Sequence, residues 1–270
     1  MIFNYNNFIF DLLNKVPSKK GVHVGETPQK GAINIYVNIE HKLVKRTYID
    51  GSDVEFVEDE TYLIPMSDYS SFLNSDIVID YSIPNIIHMN KSKRTEIHDK
   101  QVYIPPIIFE FNPFTKTRTI DVLTTFYQPG IYRRDMLLDN IRNNNFNHVN
   151  ISNCFLPNET IQLLKNTKIL INIHQKDHCQ TFEELRCLPA VLCGTIVIAE
   201  ESPYKEHIPY NKFIIWSSYD KIIETVKNVL SDYSNYYEAI FINSDIEKVI
   251  HEMKVNSINE LEKRIAICDN

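Results

Sequence analysis

The chain has 270 residues, 43% hydrophobic and 23% charged, a composition that can bury a sizeable core and excludes a disordered chain. Its net charge of -7 excludes nucleic acid as the main partner, since a phosphate backbone selects a basic face, but leaves room for a local basic pocket holding one diphosphate. The length allows one large or two small domains. In chain order, residues 4–16 read as a helix, with Phe8, Ile9, Leu12 and Leu13 at helical spacing. Residues 21–24 and 33–39 are short β-rich runs, and residues 50–65 mix acids with Tyr62, Leu63 and Ile64 without a clear period. Residues 76–80 (DIVID) form a short apolar run between acids, as in a buried parallel strand, and 102–104 follow as another strand ending at Pro105-Pro106.

Residues 109–118 lack periodicity and read as a linker. Beyond it, strands are expected at 120–124, 149–151, 168–173, 195–199 and 213–215, with helices at 132–142, 159–164 and 181–193 between them. Three closing helices are expected at 220–230, 234–240 and 245–255. Alternating strand and helix at βαβ spacing specifies a parallel sheet covered on both faces. The first twenty residues lack the basic region, apolar run and cleavage site of a signal peptide, and no stretch approaches the ~18 apolar residues of a membrane helix. Cys154, Cys179, Cys187, Cys193 and Cys268 include no CxxC pair, so reduced thiols in a cytoplasmic protein are expected rather than disulfides or a zinc site. No GxGxxG or GxxxxGK[ST] loop is present, which counts against a dinucleotide oxidoreductase or a P-loop kinase.

Candidate chemistry concentrates between 169 and 215. In open parallel sheets ligands bind beyond the carboxyl ends of strands, where His174, Gln175, Glu200 and Glu201 fall. A helix opening at Thr181 would aim its positive end there and favour a diphosphate. Each residue has a plainer reading. Thr181 and Glu184 make a capping box, Arg186 suits a surface ion pair, His174 suits a hydrogen-bonded core position, and Glu200 a solvated loop. Arg133 and Arg134 open a helix after the first strand of this half and could bind phosphate oxygens in bidentate fashion, or simply be solvated. In the N-terminal half, Glu26 and Asp80 end strands and are the candidates for a catalytic base, although Asp80 could equally cap a turn. No Asp-x-Asp exists, and Asp76 and Asp80 are too far apart on a strand to share an ion, so no metal site and no cofactor is expected.

Asn172-Ile173-His174, followed by Arg186, Ala190, Cys193-Gly194 and Val197, resembles the C-terminal domain of GT-B glycosyltransferases. The nearest likeness is to compact glycosyltransferases of large algal DNA viruses, some of which transfer xylose. It covers the chain from Asp121 onward, and the first half only by general layout. The resemblance implies an α/β fold of two Rossmann-like, GT-B-like domains with parallel sheets and an interdomain cleft. Residues 1–115 would face the acceptor and 116–270 would bind the nucleotide sugar. It implies metal-independent transfer from a nucleotide-diphosphate donor, UDP-linked by default and UDP-xylose by the viral likeness, to a glycan or glycoprotein. His174, Gln175, Thr181, Glu183, Glu184 and Arg186 would hold the donor, joined by Arg133, Arg134 and Glu200. The paired glutamates of many retaining members are absent, Pro189 standing at the second position, so the stereochemistry is not implied. A non-catalytic nucleotide- or glycan-binding module and a glycan hydrolase are the alternatives.

Overall fold

The computed structural model describes residues 2–40, 42–45, 54–56, 62–65, 69–114, 117–126, 130–151 and 157–270. Helix α1 (Ile2–Leu13) leads into strands β1 (Gly21–Val24) and β2 (Ala32–Asn38). Strands β3 (Val44–Lys45), β4 (Val54–Phe56) and β5 (Tyr62–Pro65) form a small antiparallel sheet, in the stretch whose period was unreadable. Then come α2 (Tyr69–Asn74), β6 (Ile77–Asp80), α3 (Ile83–Asn90) and β7 (Gln101–Tyr103). Strands β1-β2-β6-β7 lie side by side in that order, all parallel.

This first sheet is covered on both faces, which is why its central strand reads as an unbroken apolar run. Ile33, Ile35, Ile77, Ile79 and Val102 pack on one side against Tyr5, Ile9 and Leu12 of α1. Tyr36 and Val78 point the other way, toward Phe72 and Met89.

The second half supplies β8 (Ile120–Thr124), α4 (Tyr132–Asn143), β9 (His148–Asn150), α5 (Pro157–Lys165) and β10 (Thr167–Asn172). It continues with α6 (Glu184–Leu192), β11 (Ile196–Glu200), β12 (Ile215–Ser217), α7 (Ile222–Ser231), α8 (Tyr233–Tyr237) and α9 (Ile246–Cys268). Its five strands lie in the order β12-β11-β10-β8-β9, again all parallel. Val122, Leu123, Ile169, Leu170, Ile171 and Ile196–Ile198 form its core with α6 and α7.

Three expectations move. The last strand lies two residues later than expected, because Asn211–Phe213 are spent in a 3-10 turn. Helix α6 begins at Glu184, not Thr181. Helix α9 runs 23 residues, well past the expected end at 255. Its Leu261 and Ile265 are fully buried in the first sheet's core, so the chain's end returns to cover the sheet with which it began. Of the cysteines, 179, 187, 193 and 268 are free thiols, and Cys154 lies outside the described residues. No helix among the described residues is long and apolar enough to cross a membrane.

Candidate functional site

The strand order of the second sheet creates a crevice. The connection leaving β8 goes to the edge strand β9, whereas the one leaving β10 goes to β11 on the opposite side. Loops that diverge in this way open a gap beyond the carboxyl ends of the two strands, the usual ligand position in such sheets. The loop after β8 delivers Arg133 and Arg134 at the start of α4, and the loop after β10 carries His174 to Glu183.

Arg133 is fully engaged. Its guanidinium grips Glu200 through Nη1 at 3.2 Å and Nη2 at 2.5 Å, donates to the His174 carbonyl at 3.1 Å, and pairs through Nε with Asp177 at 2.6 Å. The Tyr219 ring stacks on it at 4.2 Å. Glu200 also accepts the His174 amide at 2.9 Å. The His174 ring meets the Glu201 carbonyl at 2.9 Å through Nε2, which must therefore carry the proton. Arg133, His174 and Glu200 thus form one clamp that orders the loop after β10, and their polar atoms are used within the protein.

The neighbouring arginine differs. Arg134 is buried, with its guanidinium 5.1 Å over the Phe126 ring. Burial first, and then the like charge of Arg186, bring its pKa well below the usual guanidinium range, to about 10, against the opposing pull of Glu183. Arg186 projects from the first turns of α6, and its buried Nη1 has no hydrogen-bond partner. Two cations that repel each other in a partly dry place, one with an orphaned donor, suit an anion. The helix itself contributes less than expected, because the Glu184 and Arg186 amides bond to the Phe182 and Glu183 carbonyls.

Thr181 does not cap α6. It is buried and reaches into the other half of the molecule, donating to Asn85 Oδ1 at 3.0 Å and accepting the Leu43 amide at 3.3 Å. Backbone bonds from Lys45 to the His178 carbonyl at 2.7 Å and from Gln180 to the Leu43 carbonyl at 3.0 Å extend this join. Segment 42–45 therefore lies across the cleft against segment 178–181, beside the arginines. Gln175 is half-buried at the turn after His174.

Glu184 is fully buried where the two halves meet. Its Oε2 accepts Tyr103 Oη at 2.8 Å from β7 and Tyr210 Oη at 3.0 Å. Burial lifts its pKa to about 8, despite those hydrogen bonds. It is neither a capping-box partner nor open to a donor. Asp80 is likewise fully buried, accepting Asn38 Nδ2 at 2.5 Å, the Ser82 amide at 2.8 Å and Asn85 Nδ2 at 3.3 Å. Burial raises it to about 6, opposed by those donors and by Lys42. An acceptor hydroxyl cannot reach it, so its role is to tie β2, β6 and α3 together. Glu26 is exposed after β1.

Sequence reasoning missed Lys42, Asn38, Asn85, Tyr103 and Tyr210. Lys42 is buried and stacks 5.2 Å over Phe72. None of these carried a local signal, since what matters about them is the partner opposite.

No family model matches the chain. Two proteins of Acanthamoeba polyphaga mimivirus are similar to it: Uncharacterized protein R358, 32% identical over 192 residues, and Uncharacterized protein L140, 26% identical over 209 residues. The matches cover 70% and 72% of this chain but only 65% and 62% of those proteins, so the chain spans less than two thirds of the length of these relatives. Among solved structures, TarM, a GT-B glycosyltransferase, superposes on 89% of the chain with a TM-score of 0.54 at 14% identity, this chain covering 51% of TarM. The fold is that of the GT-B glycosyltransferases. In this GT-B frame, β8–β12 are the C-terminal sheet, and the crevice with Arg134 and Arg186 faces the N-terminal sheet across the join at 42–45.

Proposed function

We propose that the chain is a glycosyltransferase that takes a sugar from a nucleotide-diphosphate donor and passes it to a glycan or glycoprotein. In this reading residues 116–270 hold the donor and 1–115 face the acceptor. Arg134 and Arg186 grip the diphosphate, while Arg133, His174 and Glu200 hold the shape of the loop around it. Gln175 and Glu183 lie beside the donor. Leaving-group charge grows on the diphosphate as the glycosidic bond breaks, and two preorganised guanidiniums stabilise it without a divalent metal. UDP is the nucleotide we expect, with UDP-xylose among the donors to try. Of the two base candidates Glu26 alone is exposed, and we assign it that role. The mimivirus relatives support a viral origin and action within the infected host cell.

The observation that carries this reading is the orphaned Arg186 donor beside Arg134 at the switch point of a GT-B fold. The test is thermal denaturation with millimolar UDP and GDP and a panel of UDP-sugars. UDP should raise the melting temperature, and Arg186→Ala should remove that shift while the unliganded protein still melts cooperatively. No shift with any nucleotide refutes the site. A shift without turnover of any donor leaves a nucleotide-binding module in place of an enzyme.

A further inference from the structure

A cavity of about 360 Å³ opens beside the first sheet, a size ordinary for a small-ligand site. Helix α1 forms one wall with Asn6 and Phe10, and the ends of β1 and β2 form the others with Glu26, Tyr36 and Glu40. Phe10 is 48% exposed on the outer side of α1, so an aromatic face stands open at the rim. The cavity is tied to the crevice of the second sheet through a single side chain. Asn85 donates to the Glu40 carbonyl at 3.1 Å and accepts Thr181 Oγ1 at 3.0 Å, five residues before Arg186.

We propose that this cavity holds a sugar unit of the acceptor, and that the acceptor is an uncharged glycan. The inference rests on the transferase reading above. Among the described lining residues there are two carboxylates and no lysine, arginine or histidine. An ionised carboxylate only accepts hydrogen bonds, and each sugar hydroxyl can donate one. Phe10, with Val37 and Ile39 on the α1 side of the sheet, supplies the apolar surface on which the C–H face of a pyranose packs. A uronate or phosphate-bearing acceptor would instead meet two like charges in a half-enclosed space with no cation to offset them. The acceptor is thus selected partly by what the cavity repels.

The test measures binding by calorimetry to chitotetraose, xylotetraose and mannotetraose as uncharged probes and tetragalacturonate as the acidic one, with UDP titrated in parallel. We expect at least one uncharged probe to bind, and tetragalacturonate to bind at least about tenfold more weakly, the effect of a single unfavourable charge contact of roughly 1.4 kcal/mol. Phe10→Ala, at an exposed position that does not threaten folding, should weaken the uncharged probe about tenfold. The double change Glu26→Gln with Glu40→Gln should narrow the gap between acidic and uncharged probes. Equal or tighter binding of tetragalacturonate overturns the proposal, as does uncharged binding that ignores Phe10→Ala. Binding of UDP with no glycan bound also overturns it and leaves the donor reading standing. Glycan bound as expected with no UDP binding sinks the donor reading alone.

Discussion

At the scale of single residues, charge placement separates structural arginines from the pair suited to a ligand. Arg133 and Arg134 are adjacent in sequence, yet one closes a bidentate ion pair with Glu200 and the other is held in a buried place beside Arg186. Glu184 shows the same principle with the opposite sign. Buried against Tyr103 and Tyr210, it holds its proton up to about pH 8, whereas an unfolded glutamate releases it near 4.5. The folded state therefore binds a proton that the unfolded state gives up, and this contribution to stability is complete below about pH 4.5 and lost as pH rises toward 8. Each unit of separation is worth about 1.4 kcal/mol. Asp80 adds a loss of the same sign, ending near pH 6. Glu184→Gln keeps the shape and removes the titration. Its denaturant stability should fall less between pH 5 and 8 than that of the native protein, and parallel curves would contradict the burial argument.

At the scale of elements, boundaries shifted where side chains found distant partners. Thr181-x-x-Glu184 spells a capping box, but both side chains are drawn into contacts with the first half, so α6 starts three residues later. At the other end of α6, Gly194 follows the helix with φ +73°, and a Cβ there would stand 2.4 Å from the Pro113 carbonyl. The resemblance motif thus contains a glycine that the backbone requires for conformation and space. Helix α9 extends because Met253, Ser257, Leu261 and Ile265 recur every four residues on one buried stripe. Leu261 is fully buried on the first sheet, so Leu261→Ala should destabilise the protein by roughly 2–5 kcal/mol in urea denaturation, far more than a change at exposed Val255.

At the scale of the whole molecule, the two sheets are joined by the Glu184 contacts, by the return of α9 and by segment 42–45 lying against 178–181. In the transferase reading proposed above, closure of the two halves would keep water from the donor. Thr181→Val removes a hydroxyl that serves both Asn85 and Leu43; Asn85 Oδ1 keeps the Lys42 amide, but the buried Leu43 amide is left unpaired, at a cost of about 1–3 kcal/mol. Amide exchange at Leu43 and Gln180 should accelerate in this variant while β10 and β11 stay protected. Unchanged exchange at those two amides would mean the join does not depend on Thr181.

The parallel strands were legible as sequence because a strand buried on both faces must be apolar throughout, and DIVID and KILINI are recognisable on that ground alone. The strands at 120–124 and 168–173, the helix at 132–142 and the alternation that implies a doubly covered sheet follow from the same local rule. The carboxyl-end position of His174, Arg133, Arg134 and Glu200 was equally readable, since it depends only on where strands stop. Which of these atoms remain available to a ligand was not. Arg133 in its ion pair against Arg186 with its orphaned donor, Asp80 enclosed against Glu26 exposed, and Thr181 turned across the cleft are each decided by tertiary partners, as with Thr181 and Leu43, separated by 138 positions. Local pattern reports the period of burial along one element. The free hydrogen-bonding capacity of a side chain depends on what the tertiary structure sets opposite it.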